Sequence, residues 1–279
     1  VADLGAGNEH TVFITADGGV LVSGYNDNGQ CGVGGTTQVR RPMRVAALDN
    51  VGAVQVHVYN GCEHTMVVTS NGALYACGYN YRGQLGIGSN SSQSLPRLVE
   101  NLSHKLVRVV GCSYHHSVVV CADSQVFCFG RNDSGQLGMG DGTDRKRPTP
   151  IPSHLALPAS AGQVVSVSCG QFHTALLTAS GRVFSAGKND YGQLGLSGSD
   201  AVRTFTPVLL PALSDEKSAS TTTSSSSSSS SDSSSDSSSG SHVGMKVVRV
   251  VCGYYHTLLL TAEGHVFGCG RNDYGQLGL

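Results

Sequence analysis

The sequence is short of charge: only 13% of its 279 residues are Asp, Glu, Lys or Arg, and the formal net charge is -1. A chain so balanced lacks the basic field that releases counterions from nucleic acid, so no strong nucleic-acid partner is expected. No apolar run approaches the roughly eighteen residues of a membrane helix, and no charged-then-apolar targeting segment opens the chain, so no membrane association is expected. Phosphate-cradling Gly-x-x-x-x-Gly-Lys-Ser/Thr is missing, as is a Gly-x-Ser-x-Gly elbow between strand and helix, so neither nucleotide cleavage nor hydrolase chemistry has support. No Cys pair has zinc-ligand spacing joined to a second pair, and neither metal nor cofactor is expected.

What the chain does have is glycine, 37 residues of it, arranged in a phrase that returns five times. Gly-x-x-His-Thr opens each copy and Asn-x-x-Gly-Gln-Leu-Gly closes it, over Gly7 to Gly32, Gly61 to Gly86, Ser113 to Gly138, Gly170 to Gly195 and Gly253 to Gly278. In every copy the His stands fourteen residues before a Gly: His10 and Gly24, His64 and Gly78, His116 and Gly130, His173 and Gly187, His256 and Gly270. The His-to-His steps are 54, 52, 57 and 83 residues, so a Ser-rich insertion interrupts only the last period. A unit this short cannot bury its own apolar surface, and neighbouring copies must pack together as one repeat domain over 1–279.

Each copy reads as extended chain. His173 to Thr178 and Arg182 to Ala186 flank an Ala-Ser-Gly turn, a hairpin signature, and Ala16-Asp17-Gly18, Ser70-Asn71-Gly72 and Ala262-Glu263-Gly264 are its equivalents. The third copy has Ala122-Asp123-Ser124 instead, so a strained or re-typed turn is expected there. Val164 to Cys169 and Val247 to Cys252 supply a further strand before the His. Segments carrying Pro, namely Pro42 to Val45, Pro96 to Val99, Pro148 to Ile151 and Pro207 to Leu209, supply a fourth that must lie at an edge. The hairpin strands are apolar on both faces, as in Val12, Phe13 and Ile14 or Leu258, Leu259 and Leu260, so each sheet should be sandwiched. Four-stranded sheets packed face to face around an axis make a β-propeller, all-β, with one blade per repeat.

Nine cysteines is an odd count in a chain large enough to hold a core without disulfides. Cys112, Cys169 and Cys252 stand four residues before the His, Cys77 and Cys269 thirteen after it, and Cys128 one place earlier; Ala6, Asn60, Ser23 and Ala186 fill matching slots elsewhere. Small, mostly buried positions tolerate such exchange, and reduced thiols in an intracellular protein are expected, cytoplasmic or nuclear.

The Gly-x-x-His-Thr and Asn-x-x-Gly-Gln-Leu-Gly phrases resemble those of the regulator of chromosome condensation repeat family, over nearly the whole chain except about 214 to 244. That resemblance implies a seven-bladed β-propeller of four-stranded antiparallel blades. Five repeats are present and both ends fall inside one, so a fragment of the ring is expected, with an open arc as the alternative. It also implies one of two functions: a non-catalytic platform for a protein partner, often within a larger protein such as a ubiquitin ligase, or a guanine-nucleotide exchange factor for a Ran-type small GTPase. The exchange reading implies a projecting hairpin wedge and basic elements, and neither is visible. Ultraviolet sensing, which in this family requires clustered tryptophans, is excluded for a sequence with none.

Five equivalent His do not make one asymmetric catalytic constellation. His10, His64, His116, His173 and His256 are therefore assigned to backbone hydrogen bonding within or between blades, and no catalytic residue is expected. Gln30, Gln84, Gln136, Gln193 and Gln276, with Asn26, Asn80, Asn132, Asn189 and Asn272, should shape tight loops, while Leu85, Leu137, Leu194 and Leu277 plug the blade contacts and Cys31 takes that place in the first copy. Function must then lie where blades differ. The charged linker with Asp144, Arg145, Lys146 and Arg147, and Arg40 and Arg41 at the corresponding place, form a candidate partner-facing rim. The Ser-rich insertion at 214–244 lacks the apolar content to offset chain entropy and should be disordered. Within it Ser229 and Ser233 each precede an Asp by three, an acid-directed phosphorylation pattern that would add negative charge.

Overall fold

The computed structural model describes residues 1–59, 61–211 and 245–278. The fourteen-residue spacing is a hairpin register: His10 pairs with Gly24, His64 with Gly78, His116 with Gly130, His173 with Gly187 and His256 with Gly270. That Gly is forced. Gly130 has φ +98°, and a Cβ there would sit 2.3 Å from the His115 carbonyl oxygen, a backbone wall that cannot move aside.

Around each hairpin an antiparallel meander grows. The first blade holds β1 (Asp3–Ala6), β2 (His10–Ile14), β3 (Val20–Gly24) and β4 (Val39–Arg44). The second holds β5 (Ala53–His57), β6 (His64–Thr69), β7 (Leu74–Gly78) and β8 (Gln93–Leu98). The third holds β9 (Val107–Cys112), β10 (His116–Cys121), β11 (Val126–Gly130) and β12 (Arg145–Pro150). The fourth holds β13 (Val164–Cys169), β14 (His173–Thr178), β15 (Val183–Gly187) and β16 (Val202–Val208). The fifth holds β17 (Val247–Cys252), β18 (His256–Thr261) and β19 (Val266–Gly270). Among the described residues the only helices are short 3-10 turns.

The first strands of successive blades touch one another, β1 with β5, β5 with β9, β9 with β13 and β13 with β17, so these strands are innermost. The Pro-bearing strands β4, β8, β12 and β16 lie at the opposite edge, where Pro42, Pro96, Pro148 and Pro207 leave no ladder bond unmade. These strands start three to five residues ahead of the Pro, earlier than the sequence segments expected, because the residues before it can still pair. In the inner blades every residue of β6, β10 and β14 is buried, whereas β2 and β18 alternate buried with half-buried. Doubly covered sheets thus form the core, and Leu85, Leu137 and Leu194 are buried between them, as is Cys31.

The third hairpin keeps its turn and accepts the strain. Ser124 adopts φ +66°, close to the +78° to +88° of Gly72, Gly18, Gly181 and Gly264, and its N–H donates to the Cys121 carbonyl at 2.9 Å as those glycines do at their own sites. A side chain in the left-handed region costs about 1–2 kcal/mol, partly offset by the lower entropy a non-glycine residue loses on folding. Ser124→Gly should therefore stabilise the fold by about 0.5–1 kcal/mol. Urea unfolding checks this: a higher midpoint at unchanged slope is expected, and a lower one would show that the turn is not strained.

Candidate functional site

Two sets of recurrent positions meet at the open end of each hairpin. One set is internal. His10 Nε2 lies 2.9 Å from Thr65 Oγ1 in the next blade, and Thr65 Oγ1 donates to the Gln30 carbonyl at 2.7 Å. The same chain runs from His64 through Ser117 to Gln84, from His116 through Thr174 to Gln136, and from His173 through Thr257 to Gln193. Because each hydroxyl spends its proton on the carbonyl, it accepts from the imidazole, and each His must carry its hydrogen on Nε2. Burial holds His10 down to about 4 and His64, His116 and His173 to about 3, so all four are neutral near pH 7. His256, in the fifth blade, is half-buried.

The Gln and Asn close the adjoining loop. Gln30, Gln84, Gln136, Gln193 and Gln276 each accept, through Oε1, the N–H two residues before them at 3.0 to 3.1 Å. Asn26, Asn80, Asn132, Asn189 and Asn272 accept the N–H five residues on.

The second set is outward-facing and differs from blade to blade. A repeated backbone bond joins the residue after the invariant Gly to the residue before the His: Tyr25 to Glu9, Tyr79 to Glu63, Arg131 to His115, Lys188 to Phe172 and Arg271 to Tyr255, at 2.8 to 2.9 Å. Blades one and two thus present Glu and Tyr, and blades three to five present cations beside aromatic rings. The rings form two groups, one across blades two and three and one across blades four and five, and Arg131 of blade three reaches the second group. Tyr79 stacks on His115 with centroids 5.5 Å apart, and Phe172 stacks on Tyr255 at 6.2 Å. Guanidiniums cap them: Arg131 lies 4.7 Å over Phe172, and Arg271 5.4 Å over Tyr191 and 5.5 Å over Tyr274. Asp133 and Asp273 pair with Arg131 and Arg271 at 2.6 Å, fixing the cations over the rings. Tyr81, packed on Tyr79, and Tyr274, under Arg271, are the exposed ends of these groups, at 63% and 85% exposure.

Five hairpin meanders joined through one recurrent imidazole, around a shared axis, agree with the comparisons. Residues 1–279 match the family described as the RCC1-like domain. The chain belongs to that family. Among its relatives are the ultraviolet-B receptor UVR8 of Arabidopsis thaliana, 29% identical over the whole of this chain, and the probable E3 ubiquitin-protein ligase HERC4 of Homo sapiens, 36% identical over the whole of it. The chain spans about half the length of the first, 55%, and 23% of the second. Human WBSCR16 superposes with a TM-score of 0.74 at 25% identity, over 99% of this chain and 63% of that one. Yeast RCC1 (Prp20), crystallised with Kap60, superposes with a TM-score of 0.69 at 19% identity over 97% and 56%.

In this RCC1-like domain the rim residues divide. Arg40, Arg41 and Lys146 are exposed. Asp144 is occupied internally, accepting from Arg82 at 3.0 Å and from the Asn132 N–H at 2.8 Å, and Arg145 is held by Asp141 at 2.7 Å. Arg147 reaches Asn101 at 3.1 Å. The rim therefore contributes an ion-paired strut beside the aromatic groups more than a free charged patch. Ser229 and Ser233 lie outside the described residues. The aromatic groups themselves were missed by reading linkers; their signal in sequence is the pair of variable positions that flank the invariant His and Gly.

Two measurements test the internal set. Thr174→Val keeps the side-chain shape but strands the His116 Nε2–H and the Gln136 carbonyl, and should cost about 2–4 kcal/mol. Ser117→Thr, which places in the second relay the residue the others use, should change stability by less than about 1 kcal/mol. Denaturant unfolding of the two variants separates them; equal effects would remove the relay's energetic role. The sign of the pH dependence is also fixed. An unfolded His binds a proton near pH 6.5 while the four buried ones resist until about 4 or 3, so unfolding takes up protons in between. Stability should be full above pH 7 and fall as pH drops below about 6.5, by up to about 1.4 kcal/mol per pH unit for each imidazole. Urea midpoints at pH 7.5, 6.0 and 5.0 check this, and a flat profile would contradict it.

Proposed function

We propose that this RCC1-like domain is a non-catalytic platform that docks a protein partner on the aromatic and cationic face of blades two to five. The observation that carries the reading is the stacking of Tyr79 on His115 and of Phe172 on Tyr255, with Arg131 and Arg271 seated on the second pair. Tyr and Arg are the residues that dominate protein interfaces, and rings already ordered by stacking lose little freedom when a partner covers them. Paired Asp133 and Asp273 keep the guanidiniums in place while leaving donor positions for carboxylates of the partner. The recurrent His are assigned to holding blades together, since their protons are committed to neighbouring hydroxyls. The reading treats 1–279 as one repeat domain interrupted at 214–244. It also places the domain inside cells, where all nine free cysteines would stay reduced.

Relatives supply two precedents at the level of their names. HERC4 is described as a probable ubiquitin ligase, and the yeast protein Prp20 is described by its binding to Gsp1p and to histones. Exchange activity toward a Ran-type GTPase is therefore the competing reading. It would need the domain to bind the nucleotide-free GTPase more tightly than the loaded one.

One experiment divides the two. Photocrosslinking side chains placed at Tyr81 and Tyr274 should capture the partner in cells, whereas the same probe at Arg40 or Lys146 should not. Release of labelled GDP from Ran-type GTPases should be unchanged by the domain. Capture only from the rim would move the site, and faster GDP release at substoichiometric domain would replace the platform with an exchange factor.

A further inference from the structure

The four His relays are alike in their hydrogen bonds but not in what surrounds each imidazole. Beside the His of one blade come two further positions: the residue two places before it, and the residue four places before the His of the next blade. For His116 these are Tyr114 and Cys169, and for His173 Gln171 and Cys252. Only for His64 are both thiols, Cys62 and Cys112.

The fold brings these three together. Cys62 Sγ and Cys112 Sγ lie 3.4 Å apart although fifty residues separate them, and ligand atoms of Cys62, His64 and Cys112 all fall within 4.8 Å of one another. All three side chains are buried, at 0% to 1% exposure. Neither thiol is oxidised to a disulfide. His64 spends its Nε2 hydrogen on Ser117, which itself donates to Gln84, so Nδ1 carries the lone pair. That Nδ1 is buried and has no hydrogen-bond partner. Nδ1 of His10 and of His173 is likewise without a partner, and that of His116 meets Ser113 Oγ at 2.8 Å, so what sets His64 apart is the pair of thiols beside it.

We propose that Cys62, His64 and Cys112 form a three-coordinate site for Cu(I), bridging the second and third blades. Two thiolates and a neutral imidazole suit a soft d10 ion. Structural zinc takes four ligands, and the described residues bring three together here, which favours Cu(I), an ion stable with three. Binding forms two Cu–S bonds and one Cu–N bond and releases the thiol protons to water, with no change of oxidation state. The Ser117 hydroxyl already fixes the imidazole's tautomer and orientation, as outer hydrogen bonds do for metal-bound His elsewhere.

The test uses the whole chain, reduced and under nitrogen, titrated with Cu(I) against a chromogenic Cu(I) chelator. One tight equivalent is expected. Cys62→Asn and Cys112→Ala, which install the residues found at Asn8 and Ala6, should each weaken it by more than about 100-fold, beyond the loss seen when only an outer-shell partner is removed. Cys31→Leu, which removes a buried thiol elsewhere and matches Leu85, should leave it unchanged. X-ray absorption of the one-equivalent wild-type complex should find two sulfurs and one nitrogen around copper, and this reading stands even if a variant fails to fold. Retained tight binding in Cys62→Asn and Cys112→Ala, a shell without nitrogen, or a site that takes Zn(II) but not Cu(I) would each overturn the proposal.

Discussion

One hydrogen-bonded chain recurs through the molecule, and the arrangement of blades depends on it: an imidazole of one blade donates to a hydroxyl of the next, and that hydroxyl donates back to a carbonyl of the first. Its geometry leaves little freedom. The hydroxyl proton points at the carbonyl of Gln30, Gln84, Gln136 or Gln193, so the neighbouring His can only donate to that hydroxyl. Apolar packing alone is indifferent to how two flat sheets slide across one another. A buried donor and acceptor that must meet within 3 Å are not indifferent, and they fix the relative position of successive blades.

The same end of each hairpin is where the molecule can vary. The residue before the His and the residue after the Gly are tied by a backbone bond, so any side chain can be carried there without disturbing the relay beneath. Glu9 with Tyr25, His115 with Arg131 and Tyr255 with Arg271 are alternative occupants of one frame. A rigid internal network supporting variable external positions is the arrangement by which a repeat scaffold acquires a specific surface. The two proposals draw on the two sides of this division. The docking face uses positions the relay leaves free, and the Cys62, His64 and Cys112 cluster uses the place where two thiols stand beside the relay.

Much of the fold was legible in the order of residues. The fourteen-residue interval from His to Gly is the hairpin register itself, and the Pro in β4, β8, β12 and β16 announced edge strands. Ser124 in place of Gly announced a strained turn, and strain without re-typing is what its φ of +66° records. The strand starts were less legible, because residues such as Val39 and Val202 join a ladder through contacts that only the folded sheet supplies. The charged linker illustrates the limit for sites. Asp144 and Arg145 look like free rim charges in sequence, yet Arg82 and Asp141, one of them sixty-two residues away, occupy them.

By itself the sequence determined that this chain is a run of sandwiched, antiparallel sheets, because periodic Gly and His and strands apolar on both faces admit no isolated blade and no helical alternative. Tertiary structure alone decided which dissimilar residues become neighbours: Arg131 with Phe172 across a blade boundary, and Cys62 with Cys112 across fifty residues. The reason is that local patterns set backbone geometry, through φ and hydrogen-bond register, whereas a surface or a ligand set is assembled from side chains whose separation along the chain carries no information about their distance in space.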